Sequence, residues 1–291
     1  MKILILGANG QVGWELRRSL AALGDVRALT RAEADLSDLD RLGEVMRAAQ
    51  ADVIVNAAAY TAVDKAESER DVATRINAAA PGVLATEAAR SHALLIHYST
   101  DYIFDGMKDD AYVETDAAAP LSHYGQSKWD GEEAVRASGC RHLIFRTSWV
   151  YAPRGKNFAR TILNAAKTRD ALRVVNDQIG APTSAELIAD VTALCLSRLS
   201  SGRLGTYHLV AGGETSWHGF AEKLIRRAAA KGHAITAREI AAIPSSEYPT
   251  PAKRIANSRL NTDKLRSVFG VNLPLWDAAL DRLIDELEPL A

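Results

Sequence analysis

The sequence predicts an α/β protein built on a doubly wound, Rossmann-like parallel sheet, with a smaller, discontinuous C-terminal substrate lobe. Three observations predict it. Strand-like and helix-like segments alternate through the first half of the chain, a glycine triplet falls between the first strand and the first helix, and the regular alternation loosens after about Trp149. Strands buried on both faces read as short apolar runs, and a βαβα series closes into a parallel sheet with right-handed crossovers. Ligands of such sheets sit beyond the carboxyl ends of the strands.

In order, "KILILG", "VRAL", "DVIVNAAA", "ALLIHYST" and "HLIFRTSWVY" are Leu-rich or β-branched runs that read as buried strands. Helical patterns lie between them at 12–23, 39–50, 72–91 and 124–137. In the second of these, Leu39, Leu42, Val45, Met46 and Ala49 recur on one helix face. Further helices are expected at 157–168, 185–199 and 217–230, with short strands "LRVVN" and "TYHLV" among them. The tail "YPTPAKRIANSRLNTDKL" ends in a helix running into Gly270. A dinucleotide-binding domain is expected over 1–148, with about 184–215 returning to it, and a substrate-binding lobe over about 149–183 and 216–291.

Composition narrows the partners. The 291 residues are 47% hydrophobic and 24% charged, the profile of a soluble globular protein. Lys+Arg 35 against Asp+Glu 36 leaves no surplus to condense on a phosphate backbone or an anionic lipid surface, so small molecules are the expected ligands. Cys140 and Cys195 lack metal-ligand spacing and read as reduced thiols. The opening apolar run is too short for a signal peptide, and no segment approaches the ~20 apolar residues that cross a bilayer, so a cytoplasmic protein is expected.

Chemistry enters with "ILILGANGQVGWEL", which places Gly7, Gly10 and Gly13 between a strand and a helix. The first glycine permits a tight turn, the second lets a pyrophosphate approach backbone N–H groups, and the third lets helix and strand pack closely. "HYGQSKWDGEE" sets Tyr124 one helical turn before Lys128, so a phenol and an ammonium share a face. At the end of the second strand, Thr30 and Arg31 stand where NAD-selective sites carry an acid, which suits a 2′-phosphate. NADPH is therefore expected to serve at least as well as NADH, unless Asp35 is the ribose carboxylate.

The GxxGxxG spacing together with YxxxK resembles the extended short-chain dehydrogenase/reductases. The blocks "GANGQVGWELRRSL", "DVIVNAAAYTAVDKAE", "HYSTDYIFDG", "HLIFRTSWVYA", "NDQIGAPTSAELIAD" and "YHLVAGGETSWH" are similar to those of the dTDP-4-dehydrorhamnose reductase family. The resemblance implies hydride transfer from NAD(P)H to the 4-keto group of dTDP-4-dehydro-L-rhamnose, giving dTDP-L-rhamnose. It implies Tyr124 as proton donor, and Lys128 both lowering the Tyr124 pKa and holding the nicotinamide ribose. Thr100 would bind the substrate oxygen, with Ser99 as its rival, while His97 reads as a packed core histidine.

The same resemblance puts Gly10, Gln11 and Val12 on the pyrophosphate, Asp35 and Leu36 on the adenine end, and Ala59, Tyr60 and Thr61 along the cofactor. Thr61, Val63, Asp101, Tyr102 and Trp149 would line the sugar pocket. Lys253 and Arg254 would clamp the diphosphate, although Ile255 stands where the family often has proline. Glu15, Glu186 and Asp190 match positions that hold Mg²⁺ between paired subunits in some members, which implies a homodimer; the alternative is three solvated carboxylates. Two other readings stay open: a nucleotide-sugar epimerase or dehydratase, and a noncatalytic dinucleotide-binding regulatory subunit. Tyr102 following Asp101 disfavours a dehydratase, whose commoner pattern is Asp-Glu.

Overall fold

The computed structural model describes residues 1–287. Five strands expected from apolar runs are present as β1 (Lys2–Leu6), β2 (Asp25–Leu29), β3 (Val53–Asn56), β4 (Leu94–Thr100) and β5 (Arg141–Thr147). The helices joining them are α1 (Gln11–Leu20), α2 (Leu39–Ala49), α3 (Arg70–Thr74), α4 (Ala80–Ser91) and α5 (His123–Ala137). Beyond them come β6 (Val150–Tyr151), α6 (Phe158–Ala166), β7 (Ala171–Val175), β8 (Ile179–Gly180), β9 (Thr183–Ser184), α7 (Ala185–Ser197) and β10 (Gly205–His208). The chain continues with β11 (Thr215–Ser216), α8 (Trp217–Ala230), β12 (Glu239–Ile243), α9 (Asp263–Phe269) and α10 (Leu280–Glu286).

Six strands form one sheet in the order β10-β5-β4-β3-β1-β2, every pair parallel. From β1 the chain leaves to one side for β2 and returns on the other for β3, so the order reverses there and opens a crevice at the carboxyl edge. Alternate residues of β1 feed opposite faces. Ile3 and Ile5 pack with Leu16 of α1 and Ile188 of α7, whereas Leu4 and Leu6 pack with Leu42 of α2 and Leu84 of α4. A third cluster joins Leu163, Leu172, Phe220, Leu224 and Leu283, drawn from α6, β7, α8 and α10. Both cysteines are free and buried, and among the described residues no helix is long and apolar enough to cross a membrane.

Two expected elements are broken, each for a local reason. The helix expected over 72–91 divides into α3, a π-helical turn Arg75–Ala79, and α4. Pro81 has no N–H to offer the carbonyl four residues back, that of Asn77. Gly131 of α5 packs against that carbonyl so closely that a Cβ would stand 2.1 Å from its oxygen. The run "HLIFRTSWVY" ends as a sheet strand at Thr147, because Trp149 takes φ +47° and redirects β6 to pair with β9. The parallel pairing of β7 with β12, and helix α10, were not anticipated.

Candidate active site

The β1–α1 turn has the backbone of an anion cradle. Gly7 adopts φ +85°, and Gly10 N–H donates to the Gly7 carbonyl (2.9 Å). A Cβ on Gly13 would lie 2.0 Å from the same carbonyl, so only glycine lets α1 sit this close to the turn. No side chain caps the start of α1, which leaves its first N–H groups free for an anion. From there a groove of about 500 Å³ runs along the carboxyl edge, past Arg31 and Asp35 at one end and Tyr124 and Lys128 at the other. Its length, its uncapped helix and its close backbone approach fit a dinucleotide.

Tyr124 and Lys128 are placed by α5, whose start is fixed where the Ser122 hydroxyl accepts from Gly125 N–H. Lys128 is 2% exposed. Its Nζ donates to the Tyr98 carbonyl (2.7 Å) and stands 3.3 Å from His97 Nε2. Burial pushes its pKa down to about 8, with Glu132 one turn further on opposing the shift. His97 is buried as a core residue would be, yet it touches this ammonium, and burial followed by the Lys128 charge keeps it neutral. Glu132 remains ionised despite burial because Arg146 grips it through Nε (3.0 Å) and Nη2 (2.8 Å).

Tyr124 departs from expectation. Burial pushes the phenol well above its ordinary pKa; the Thr100 hydroxyl opposes the shift, and Asp101 and Tyr102 add to it. Lys128 does not lower it in this arrangement, since the ammonium is turned to Tyr98 and His97. Thr100 supplies the hydroxyl that meets Tyr124, whereas Ser99 lines the groove with its own hydroxyl buried. Tyr102 lies edge-on to Tyr124, with ring centroids 5.6 Å apart.

Of the other expected cofactor residues, Gly10, Gln11, Val12, Leu36, Ala59 and Thr61 all line the groove. Thr30 does not, because its N–H and hydroxyl are both taken by Glu33 (2.8 and 2.9 Å). Arg31 pairs instead with Asp35 (3.1 Å). The Tyr60 side chain also turns away: its hydroxyl donates to Glu69 (2.6 Å), which pushes its pKa up to about 12.

Among the expected substrate contacts, Thr61 and Val63 share a tight turn (N–H to O, 3.0 Å). Asp101 is buried behind Thr100. Trp149 stacks on Trp217 with centroids 3.6 Å apart. Arg254 bonds Asp64 (2.7 Å) beside Tyr102, and its Nη1 is buried with no partner among the described residues. Lys253 beside it is exposed. Ile255 is buried under Gly106, so this position is filled by core packing.

The acidic triplet assembles around arginines. Arg18 lies 3.7 Å from Glu15, 3.8 Å from Glu186 and 2.8 Å from Asp190, and Arg282 also pairs with Glu186. Two guanidiniums thus offset two of the three carboxylate charges, and among the described residues no group of three or more His, Cys, Asp or Glu is arranged to hold a metal ion. The set as arranged does not fit Mg²⁺.

Sequence reasoning missed the segment 152–157. Asn157 Nδ2 donates to Gln11 Oε1 (2.8 Å) and to the Ala152 carbonyl (2.8 Å), and Arg154 covers the Trp14 ring at 3.9 Å. This strap, tied to α1, brings Gly155 and Lys156 to the groove wall. The glycine in "PRGKN" was the one available signal.

This is the architecture of the short-chain dehydrogenase/reductases, oxidoreductases that lay a nicotinamide dinucleotide along the carboxyl edge of a doubly wound sheet. Residues 1–288 match the family model described as the RmlD substrate binding domain. The chain is 49% identical over 295 residues to a dTDP-4-dehydrorhamnose reductase of Burkholderia thailandensis, with 99% of each covered. It is similar to the solved dTDP-4-dehydrorhamnose reductase of Clostridium acetobutylicum (35% identity, TM-score 0.92, 99% of this chain and 100% of that one). It is also similar to that of Bacillus anthracis in complex with NADP (31%, 0.91, 98% and 99%). The protein belongs to the dTDP-4-dehydrorhamnose reductase family.

Proposed function

We propose that the protein reduces the 4-keto group of dTDP-4-dehydro-L-rhamnose to the alcohol of dTDP-L-rhamnose, with NADPH accepted at least as well as NADH. The activity named for its relatives, and the NADP complex of one of them, support substrate and cofactor. The observation that carries the chemistry is the half-buried Tyr124, with Thr100 beside its hydroxyl and the buried Lys128 one turn away, at the end of the dinucleotide groove.

When bound, the nicotinamide supplies hydride to the ketone carbon. Tyr124 gives its proton to the oxygen on that carbon: the phenolic O–H bond breaks, the product O–H bond forms, and a phenolate is left. A phenol with a raised pKa keeps its proton through neutral pH and surrenders it to a more basic alkoxide. Lys128 holds the ribose hydroxyls. Gly10, Gln11 and Val12 meet the pyrophosphate at the start of α1, and Arg31 meets the 2′-phosphate. Trp149 offers an indole face to the deoxysugar, while Tyr102 and Arg254 face the nucleotide diphosphate with Lys253 at the rim.

The test is the loss of reduced-nicotinamide absorbance with dTDP-4-dehydro-L-rhamnose, run beside dTDP-4-dehydro-D-glucose and a UDP-linked 4-keto sugar. Selective oxidation of NADPH with the first supports the reading. Cofactor binding without oxidation on any of the three would make the chain a regulatory subunit, and interconversion of sugars without net oxidation would make it an epimerase.

A further inference from the structure

Behind Tyr124 lies a chain of hydroxyls that ends on a buried carboxyl. Thr100 Oγ1 donates to Asp101 Oδ1 (2.9 Å) and accepts from Tyr102 N–H (3.2 Å). Ser258, 157 residues further along the chain, donates to the other oxygen of Asp101. Thr100, Asp101 and Ser258 are all buried, so these bonds have no competing solvent.

Hydrogen counting makes this chain directional. A threonine hydroxyl has one hydrogen and two lone pairs. While Asp101 is ionised it can only accept, so it holds the Thr100 hydrogen; Tyr102 N–H takes one lone pair, and the remaining one is open to the hydrogen of the neighbouring Tyr124 hydroxyl. The phenolic proton then points at Thr100, away from a ligand. If Asp101 carries its proton on the oxygen that faces Thr100, it donates to Thr100 while Ser258 still donates to the other oxygen; both lone pairs of Thr100 are then filled, and the Thr100 hydrogen turns to the Tyr124 oxygen. The Tyr124 hydrogen is then free to point at a bound ketone, and the phenolate left after transfer already has a donor.

We propose that Asp101, gripped by Ser258, is a positioning residue that sets the direction of the Thr100 hydroxyl and thereby whether Tyr124 presents its proton to the substrate; this rests on Tyr124 being the proton donor. Burial pushes the Asp101 pKa up to about 6 against the bonds from Ser258, Thr100 and the backbone, so both hydrogen orders occur near neutral pH. The groups facing Asp101 are Thr100 at the end of β4, Tyr102 in its own turn, Tyr124 from α5 and Ser258. Arg254 and Asp64 stand beyond Tyr102.

The experiment is the pH profile of kcat between pH 5 and 8 for the parent, Asp101→Asn, Ser258→Ala and Tyr124→Phe, with NADPH binding measured on each. The parent should lose activity as pH rises above about 6, approaching tenfold per unit. An asparagine amide donates to Thr100 at every pH, so Asp101→Asn should remain active and flat through this range. Ser258→Ala removes a donor from the carboxylate and should move the falling limb up by roughly one unit. Profiles of Asp101→Asn and Ser258→Ala that superimpose on the parent's overturn the proposal. If Asp101→Asn fails to bind NADPH, the position of the Ser258→Ala limb decides alone. An active parent whose Tyr124→Phe variant keeps full turnover overturns the donor assignment itself, a separate outcome.

Discussion

Lys128→Met exchanges a buried ammonium for an unbranched apolar side chain, and should make the protein inactive and more stable together. The native pKa of Lys128 falls from 10.5 to about 8. At roughly 1.4 kcal/mol per unit, the charge opposes folding by about 3 kcal/mol at neutral pH. Methionine removes that term but leaves the Tyr98 carbonyl without its donor, which costs roughly 1 kcal/mol. The net gain of about 2 kcal/mol corresponds to a rise of roughly 4 °C in Tm. Its pH dependence follows from the direction of the shift. The native pKa lies below the unfolded one, so the opposition is complete below pH 8, shrinks from 8 to 10.5 as the native state releases its proton first, and is absent above that. Thermal unfolding of parent and variant at pH 7 and pH 10 is the assay, and by pH 10 the parent should draw level. A variant no more stable at pH 7, or a gap that ignores pH, would refute the reasoning.

Tyr124→Phe should lower turnover at least ~100-fold while NADPH binding in a fluorescence titration stays near the parent's. Gly13→Ala, whose Cβ would stand 2.0 Å from the Gly7 carbonyl, should weaken NADPH by ~100-fold or more in the same titration, because α1 must move off the turn that forms the cradle. Arg31→Ala should raise the KM for NADPH about tenfold and leave that for NADH almost unchanged. Equal effects on both cofactors would place the 2′-phosphate elsewhere.

Local rules carried the first half of the chain. The apolar runs of β1, β3 and β4 could be read because strands buried on both faces have no polar side to confuse with a helix, and the glycine turn because the backbone at Gly7 and Gly13 leaves no room for a side chain. Tyr124 and Lys128 could be read because one helical turn fixes their common face. What escaped depended on distant partners. Nothing near Asp101 announces Ser258, nothing near Gln11 announces Asn157, and nothing in "SAELIAD" announces that Arg282 will reach Glu186. Thr30 was misplaced by a single competing neighbour, Glu33, and the 72–91 helix by Pro81 acting on a carbonyl four residues away. The expected fall in the Tyr124 pKa failed because the lysine ammonium found a carbonyl and an imidazole nearer at hand.

The order β10-β5-β4-β3-β1-β2 also governs how the chain emerges from the ribosome. Five strands are complete once Thr147 has been made, but the neighbour of β5 is not synthesised until His208, about sixty residues later. At roughly 5–20 residues per second, the apolar edge Leu143–Ile144–Phe145 waits about 3–12 s with its backbone donors and acceptors unpaired. A nascent chain that stalls in this interval displays a ready-made strand template to its neighbours on the same message. Slower translation between codons 148 and 208 lengthens that exposure, whatever the stability of the finished fold.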